Sequence, residues 1–223
     1  MDEVITKDIE IEKRHSIKMV MYHGIKRLFD IICSLIGCLF LLPIALVVKI
    51  ITLLSGDKNS IFYKQKRVGK NGKFIYIYKF RSMVPNADEV LKELLKDPKY
   101  SEEWDLNQKF ENDPRITKIG NILRKTSLDE VPQFINVLKG DMSMIGPRPL
   151  VEGELDNHNG NHYLYESVRP GITGWWAANG RSATTYQERL ALEYYYVRNQ
   201  SLLLDIKCVF RTIKAVIFKT GAK

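Results

Sequence analysis

The sequence predicts an α+β fold, mainly helical, with a small β-hairpin, a re-entrant membrane helix hairpin near the N-terminus and an amphipathic interfacial helix at the C-terminus. Three observations carry this prediction. Ile31 to Val48 contains no charged residue. Between Ile61 and Phe80 the apolar period shortens to two, the alternation of strands. Helical spacing returns at the end of the chain, where Leu202, Ile206, Val209, Phe210, Ile213, Val216 and Ile217 share a face opposite Lys207, Arg211 and Lys214. Packing on a core would explain that last face. With a membrane segment elsewhere in the chain, a helix lying on anionic headgroups explains it equally well.

Residues 1–22 are mixed in charge, weakly patterned, and read as a mobile or surface-lying leader. Residues 23–56 read as the membrane element. The uncharged run, as a helix, would extend roughly 27 Å, close to the hydrocarbon thickness of a bilayer. It starts late and has no small-residue cleavage site, unlike a signal peptide. Spanning is the default for such a run, but its flanks argue otherwise. Lys26 and Arg27 precede it, and Lys49, Lys58, Lys64, Lys66 and Arg67 follow it. Such charge belongs on the cytoplasmic side, and both flanks reach that side only if the chain enters and returns on one face. Pro43, in mid-run, removes a backbone hydrogen bond and is the expected break of the hairpin.

Residues 57–223 form the remaining domain. Ile61–Val68 and Phe74–Phe80 read as strands joined by the turn residues Gly69-Lys70-Asn71-Gly72. Lys79 and Arg81 share a face where the second strand stops. Residues 86–112 look like a helical surface insertion broken at Asp97-Pro98, and Ile119, Ile122 and Leu123 mark a short helix leading to Arg124.

The stretch Arg124-Lys125-Thr126-Ser127-Leu128-Asp129-Glu130-Val131-Pro132 admits two readings. Ser127-x-x-Glu130 fits a capping box, in which both acids merely favour the positive end of a helix. Alternatively, that helix start is a phosphate site, with Asp129 a nucleophile toward phosphorus. Pro132 favours a cap near Asp129, where its missing N–H costs nothing. In either register the helix runs through Phe134, Ile135, Val137 and Leu138 and closes at Gly140. Gly146-Pro147-Arg148-Pro149 brackets an arginine with two prolines, which suits a fixed guanidinium gripping phosphate oxygens. Arg181 follows in Asn179-Gly180-Arg181.

The formal net charge of +8 calls for an anionic partner. The basic residues cluster beside apolar segments rather than along one soluble face, which ranks nucleic acid below phosphosugars and lipid headgroups. There is no Walker A loop, no Gly-x-Gly-x-x-Gly and no Asp-x-Asp pair. His158 and His162 have zinc-like spacing, but their Asn- and Gly-rich setting is that of a loop. Cys33, Cys38 and Cys208 form no metal-type pair and read as reduced structural thiols.

Taken in order, Lys26-Arg27 with Asp30, Lys79-Phe80-Arg81-Ser82-Met83, Leu123 to Gln133, Asn136 to Ser143, Gly146-Pro147-Arg148-Pro149-Leu150, Arg169-Pro170-Gly171-Ile172-Thr173-Gly174 and Asn179-Gly180-Arg181 resemble the bacterial sugar transferases, the monotopic polyprenyl-phosphate phosphoglycosyl transferases. The likeness runs from about Lys26 to the C-terminus. The 86–112 insertion and Tyr194 to Asn199 resemble the hexose-1-phosphate transferases that start capsular or exopolysaccharide repeats. In many of those an additional N-terminal membrane region precedes the catalytic part, and none is expected here. Two departures are Leu42-Pro43 in place of Ser-Pro, and Ala177-Ala178 before Asn179-Gly180-Arg181 in place of a glutamine-containing segment.

The resemblance implies a cytosolic catalytic domain on the inner membrane. Asp129 would attack the β-phosphate of a UDP-sugar, release UMP and hold the phosphosugar until undecaprenyl phosphate accepts it. Glu130 would assist with Mg²⁺ or proton handling, so that Asp129 and Glu130 are the metal candidates. Arg124, Arg148 and Arg181 match family arginines that face phosphate or the acid pair, and Lys79 and Arg81 join them as basic candidates. Galactose or glucose leads as the sugar, with an N-acetylated sugar open. A non-catalytic membrane adaptor is the rival reading. Nucleic acid is not an expected partner; a homodimer is left open.

Overall fold

The computed structural model describes residues 2–107, 110–158, 160–180 and 184–217. It is mainly helical, with two small two-stranded sheets. Helix α1 spans Asp2–Leu54 and runs through Pro43 without interruption. The leader is therefore helical, and the break expected at Pro43 is absent as a gap in the helix. Proline withdraws one N–H, the partner of the carbonyl four residues back, and the ladder resumes on either side of that single loss. From Ile17 to Leu54 the helix is long and apolar enough to cross a membrane. Val20, Met21, Leu35, Leu39, Leu42 and Leu54 on it are exposed, so the chain itself leaves much of this apolar surface uncovered.

Strands β1 (Phe62–Val68) and β2 (Phe74–Phe80) form the expected hairpin. Asn71 and Gly72 in its turn adopt positive φ of 58° and 70°, which Asn and Gly tolerate best.

The chain divides into two compact units, one of Met1–Gly37, Lys66–Ile77 and Gln133–Lys223, the other of Cys38–Gln65 and Tyr78–Pro132. In the second unit α2 (Ala87–Leu94) and α3 (Pro98–Asn107) make up the insertion, separated at Asp97-Pro98 as the sequence predicts. No residue of α2 is buried. Helix α4 (Lys118–Lys125) is capped by Thr117, whose hydroxyl accepts the Gly120 N–H at 3.0 Å.

In the first unit α5 (Gln133–Lys139) closes at Gly140, with φ of 88°. The Gly140 N–H reaches the Val137 carbonyl and the Asp141 N–H reaches that of Asn136, a Schellman closure. A parallel pair follows, β3 (Ser143–Ile145) with β4 (Gly171–Thr173), in the register Ser143 to Gly171 and Ile145 to Thr173. Helices α6 (His162–Glu166), α7 (Trp175–Ala178), α8 (Tyr186–Arg198) and α9 (Leu202–Ile217) complete the unit. Ile145, Val168, Tyr196, Val197, Leu204 and Cys208 form its main core.

The first turns of α1 that belong to this unit are tied in by polar side chains. Asp30 is buried and accepts hydrogen bonds from Ser143 Oγ at 3.0 Å and the Met144 N–H at 2.8 Å. Arg27 donates to the carbonyls of Val137 and Leu138 at the C-terminal end of α5, where free acceptors and the negative end of the dipole favour a cation. Lys26 and Tyr22 both donate to Asp205 on α9. The Lys26-Arg27 and Asp30 positions thus form a docking device.

Candidate active site

Lys79, Arg81, Arg124, Asp129 and Glu130 all fall in the second unit. The capping-box expectation for Ser127 fails there. Ser127 has φ of 57°, and its side chain caps nothing. Its N–H bonds back to the Arg124 carbonyl at 3.1 Å and its own carbonyl takes the Glu130 N–H at 3.4 Å, so Ser127 joins the end of α4 to the turn that follows rather than starting α5. Leu128–Glu130 then form a single 3₁₀ turn, and α5 begins only at Gln133. Pro132 stands immediately before that helix, where its missing N–H goes unneeded.

Asp129 lies in this turn with its carboxyl raised above its ordinary value. Burial is the main cause and the adjacent Glu130 carboxylate the second; Lys79, Arg124 and the residue's own backbone N–H pull the other way. Lys79 Nζ pairs with Glu130 Oε1 at 2.8 Å, and the two side chains are 22% and 34% exposed. Arg124 Nε donates to Ser82 Oγ at 2.9 Å. The turn therefore holds a desolvated acid beside a second acid, with two cations at hand. An ionised Asp129 here is poorly solvated, which is what a nucleophile requires, while the cations limit the repulsion from an incoming anion.

Arg81 has other attachments. Its Nε donates to the Ser60 carbonyl at 2.7 Å, Nη1 to that of Met83 at 3.2 Å and Nη2 to Asp57 Oδ2 at 2.7 Å. Asp57 is held down at about 2 by hydrogen bonds from the Asn59 N–H and from Arg81. Asp57 also closes α1 through its N–H to the Thr52 carbonyl. Arg81 thus fastens the end of β2 to the end of α1.

Arg148 belongs to the first unit, where both of its peptide groups are gripped. Its N–H donates to Glu193 Oε1 at 3.1 Å, and its carbonyl accepts the Tyr165 hydroxyl at 2.8 Å. Its guanidinium lies 5.8 Å from the centre of the Trp176 ring, over which Arg189 also sits at 5.0 Å. Arg189 donates to Glu193 at 3.2 Å and to Glu154 at 2.9 Å. Burial raises the Glu193 carboxyl, opposed by Arg189. Tyr165, Trp176, Arg189 and Glu193 have no place in the sequence-derived site. Their one sequence signal is the i,i+4 spacing of Arg189 and Glu193. Arg181 lies outside the described residues.

His158 is buried, with its Nδ1 in a 2.7 Å hydrogen bond to the Tyr194 hydroxyl. Among the described residues no group of three His, Cys, Asp or Glu could hold a metal ion.

These features define a class: a basic protein that carries a long uncovered apolar helix and a desolvated acid beside a second acid, with cations at hand. The chain belongs to the bacterial sugar transferase family, whose model matches residues 21–219, and is an enzyme of the phosphoglycosyl transferase kind. It is 43% identical over 198 residues to the exopolysaccharide production protein ExoY of Sinorhizobium fredii, covering 88% of this chain and 87% of that one. It is 45% identical over 199 residues to the undecaprenyl-phosphate galactose phosphotransferase of Salmonella typhimurium, covering 89% of this chain but 41% of that protein. A third relative is the UDP-N-acetylgalactosamine-undecaprenyl-phosphate N-acetylgalactosaminephosphotransferase of Aeromonas hydrophila, 34% identical over 235 residues, 100% of this chain and 52% of the relative.

Proposed function

We propose that this chain transfers a sugar-1-phosphate from a UDP-sugar to undecaprenyl phosphate, the first step of an exopolysaccharide, capsule or O-antigen repeat. The observation that carries the reading is Asp129, desolvated in its 3₁₀ turn between Glu130 and the cations Lys79 and Arg124. A carboxylate oxygen of Asp129 attacks the β-phosphorus of the donor. The bond from that phosphorus to the bridging oxygen breaks, and UMP leaves with the electron pair. A phosphate oxygen of undecaprenyl phosphate then attacks the same phosphorus, and the Asp129 carboxylate departs, leaving a polyprenyl-diphosphate sugar. Lys79 and Arg124 supply positive charge for the phosphate oxygens beside Asp129, and Arg148 and Arg181 are phosphate-binding candidates on the family resemblance.

Asp129 and Glu130 offer two adjacent carboxylates, which fits the way Mg²⁺ is held by one or two carboxylates together with substrate phosphates. Bound there, Mg²⁺ would withdraw charge from those oxygens. The ion pair of Glu130 with Lys79 keeps the second acid oriented beside Asp129.

The Salmonella relative's name points to galactose, and glucose is its close chemical neighbour. The Aeromonas relative keeps an N-acetylated sugar as the second reading. We place the domain on the cytosolic face of the inner membrane, with α1 bent at Pro43 inside its continuous helix and so re-entrant, because basic residues flank both ends of its uncharged stretch. The reaction is tested on membranes given undecaprenyl phosphate, Mg²⁺ and labelled UDP-sugars. Label should enter the lipid phase with release of UMP, and Asp129→Asn should abolish both. Release of UDP instead would overturn the two-step transfer. Cysteines introduced at positions 24 and 58 should both react from the cytosolic side; opposite-side labelling would mean a spanning helix.

A further inference from the structure

The first unit contains a small cavity of about 40 Å³ lined by, among others, His23, Lys26, Arg27, Asp30, Lys70 and Arg169. Lys26 is matched by Asp205, and the one lining carboxylate, Asp30, already accepts from Ser143 and Met144. Arg27 donates to two carbonyls and Arg169 Nε to the Gly140 carbonyl at 2.8 Å. These are neutral acceptors. Among the described residues, Lys70 and Arg169 therefore face the cavity with no salt bridge to a carboxylate, and Arg27 shares the field of the single carboxylate Asp30 with Lys26. Glu166, which packs near Gly72 in the adjoining turn, does not line it. Three cations gathered around one opening call for an anion.

The size of the cavity and its surroundings say which anion. Its volume corresponds to roughly three waters, room for the oxygens of one phosphate, and its surroundings decide what that phosphate is attached to. On α1, in the turns that carry His23 and Arg27, Val20, Met21 and Leu28 are 69%, 61% and 59% exposed. On α9, joined to α1 through Asp205, Leu203 and Phe210 are 62% and 69% exposed. A phosphate reaching the cations beside these helices would trail an apolar tail along uncovered apolar surface.

We infer that Arg27, Lys70 and Arg169, with His23, form a seat for the phosphate headgroup of an anionic membrane phospholipid. This rests on the reading of α1 as a membrane element. The seat would fix the depth and rotation of α1 by charge, adding to the non-directional pull of its apolar face.

The test uses the full chain in lipid nanodiscs, with native mass spectrometry of the lipids it retains after extraction. Phosphatidylglycerol should be retained in preference to phosphatidylcholine. The Lys70 side chain makes no hydrogen bond or ion pair among the described residues, so Lys70→Gln leaves the scaffold intact. It should weaken the preference about fivefold, and Lys70→Gln with Arg169→Gln about thirtyfold, from the usual contribution of one basic residue at an anionic surface. Equal retention of the two lipids by a chain that stays in the membrane would overturn the seat while leaving the membrane reading standing. A chain washed from membranes by salt alone would overturn both. Selective retention of undecaprenyl phosphate over phosphatidylglycerol, lost in Lys70→Gln, would give the cavity to the acceptor lipid and also overturn the assignment.

Discussion

Lys79 and Glu130 should act on Asp129 with opposite signs. The Asp129 carboxyl stands above its ordinary value because burial and the neighbouring Glu130 disfavour its charge, while Lys79 and Arg124 oppose them. Attack requires the ionised form, so the rate falls as pH drops through the folded-state value. The acid limb of kcat/KM reports that ionisation in the free enzyme. Lys79→Met removes a cation and should move the limb to higher pH; Glu130→Gln removes an anion and should move it lower. The energetic size follows from the geometry. At 2.8 Å, with side chains 22% and 34% exposed, the pair lies between a fully solvated ion pair and a buried one. A double-mutant cycle from urea melts should give a coupling of about 1 kcal/mol. Lys79→Met should also lower kcat/KM by about 10²- to 10³-fold, as losing one electrostatic stabiliser does. If Glu130→Gln turns over too slowly, carbon NMR of the Asp129 carboxyl gives the same ordering without turnover. A limb that moves the same way in both variants, or in neither, would refute this account of the site.

Asp129→Asn should abolish transfer yet stabilise the fold by about 1 kcal/mol at pH 7, a size common when active-site strain is relieved. The folded-state value is raised, so ionisation costs stability above it; the advantage should shrink as pH falls toward the ordinary 3.8, measured by denaturant melts across pH. Tyr165→Phe strips the acceptor from the Leu150 N–H at 3.0 Å and the donor from the Arg148 carbonyl at 2.8 Å. It should cost about 1–3 kcal/mol in urea melts and raise KM for the donor as the Arg148 peptide loosens. Gly120→Ala would set a Cβ 1.9 Å from the Ser82 carbonyl oxygen. Helix α4, which carries Arg124, must then retreat, at a cost of at least about 2 kcal/mol and with reduced activity.

The hairpin, α4 and α9 were legible because each repeats its apolar residues with one period over enough positions to be read. Strands β3 and β4 were not, since three residues each carry too little alternation to register. The grip on Arg148 was hidden for another reason. Glu193 and Tyr165 contact its backbone, and no side-chain pattern records which peptide groups will need partners. Arg81 was visible as a cation at a strand end. Its engagement by Asp57 is a side-chain contact between two separate segments, which no local periodicity records.

Ser127 shows how one spelling can serve opposite ends of a helix, and the difference decides what the acids do. In a capping box the carboxylates would sit against free N–H groups at the positive end of a helix, which lowers a carboxyl's pKa. Instead, Ser127 takes the left-handed conformation that ends α4, and Asp129 is left in a short 3₁₀ turn before α5 begins. Its burial there is the main cause and the neighbouring Glu130 adds repulsion, so its carboxyl moves up rather than down. A capping acid is stabilised by the fold and has little to gain by reacting. An acid whose charge the fold disfavours regains that cost when the charge passes into a bond to phosphorus. The upward direction at Asp129 argues against the capping role, while Asp30 and Glu193, raised by burial too, serve structure; the catalytic reading therefore rests on the grouping of Asp129 with Glu130, Lys79 and Arg124, and the opposite responses to Lys79→Met and Glu130→Gln measure it.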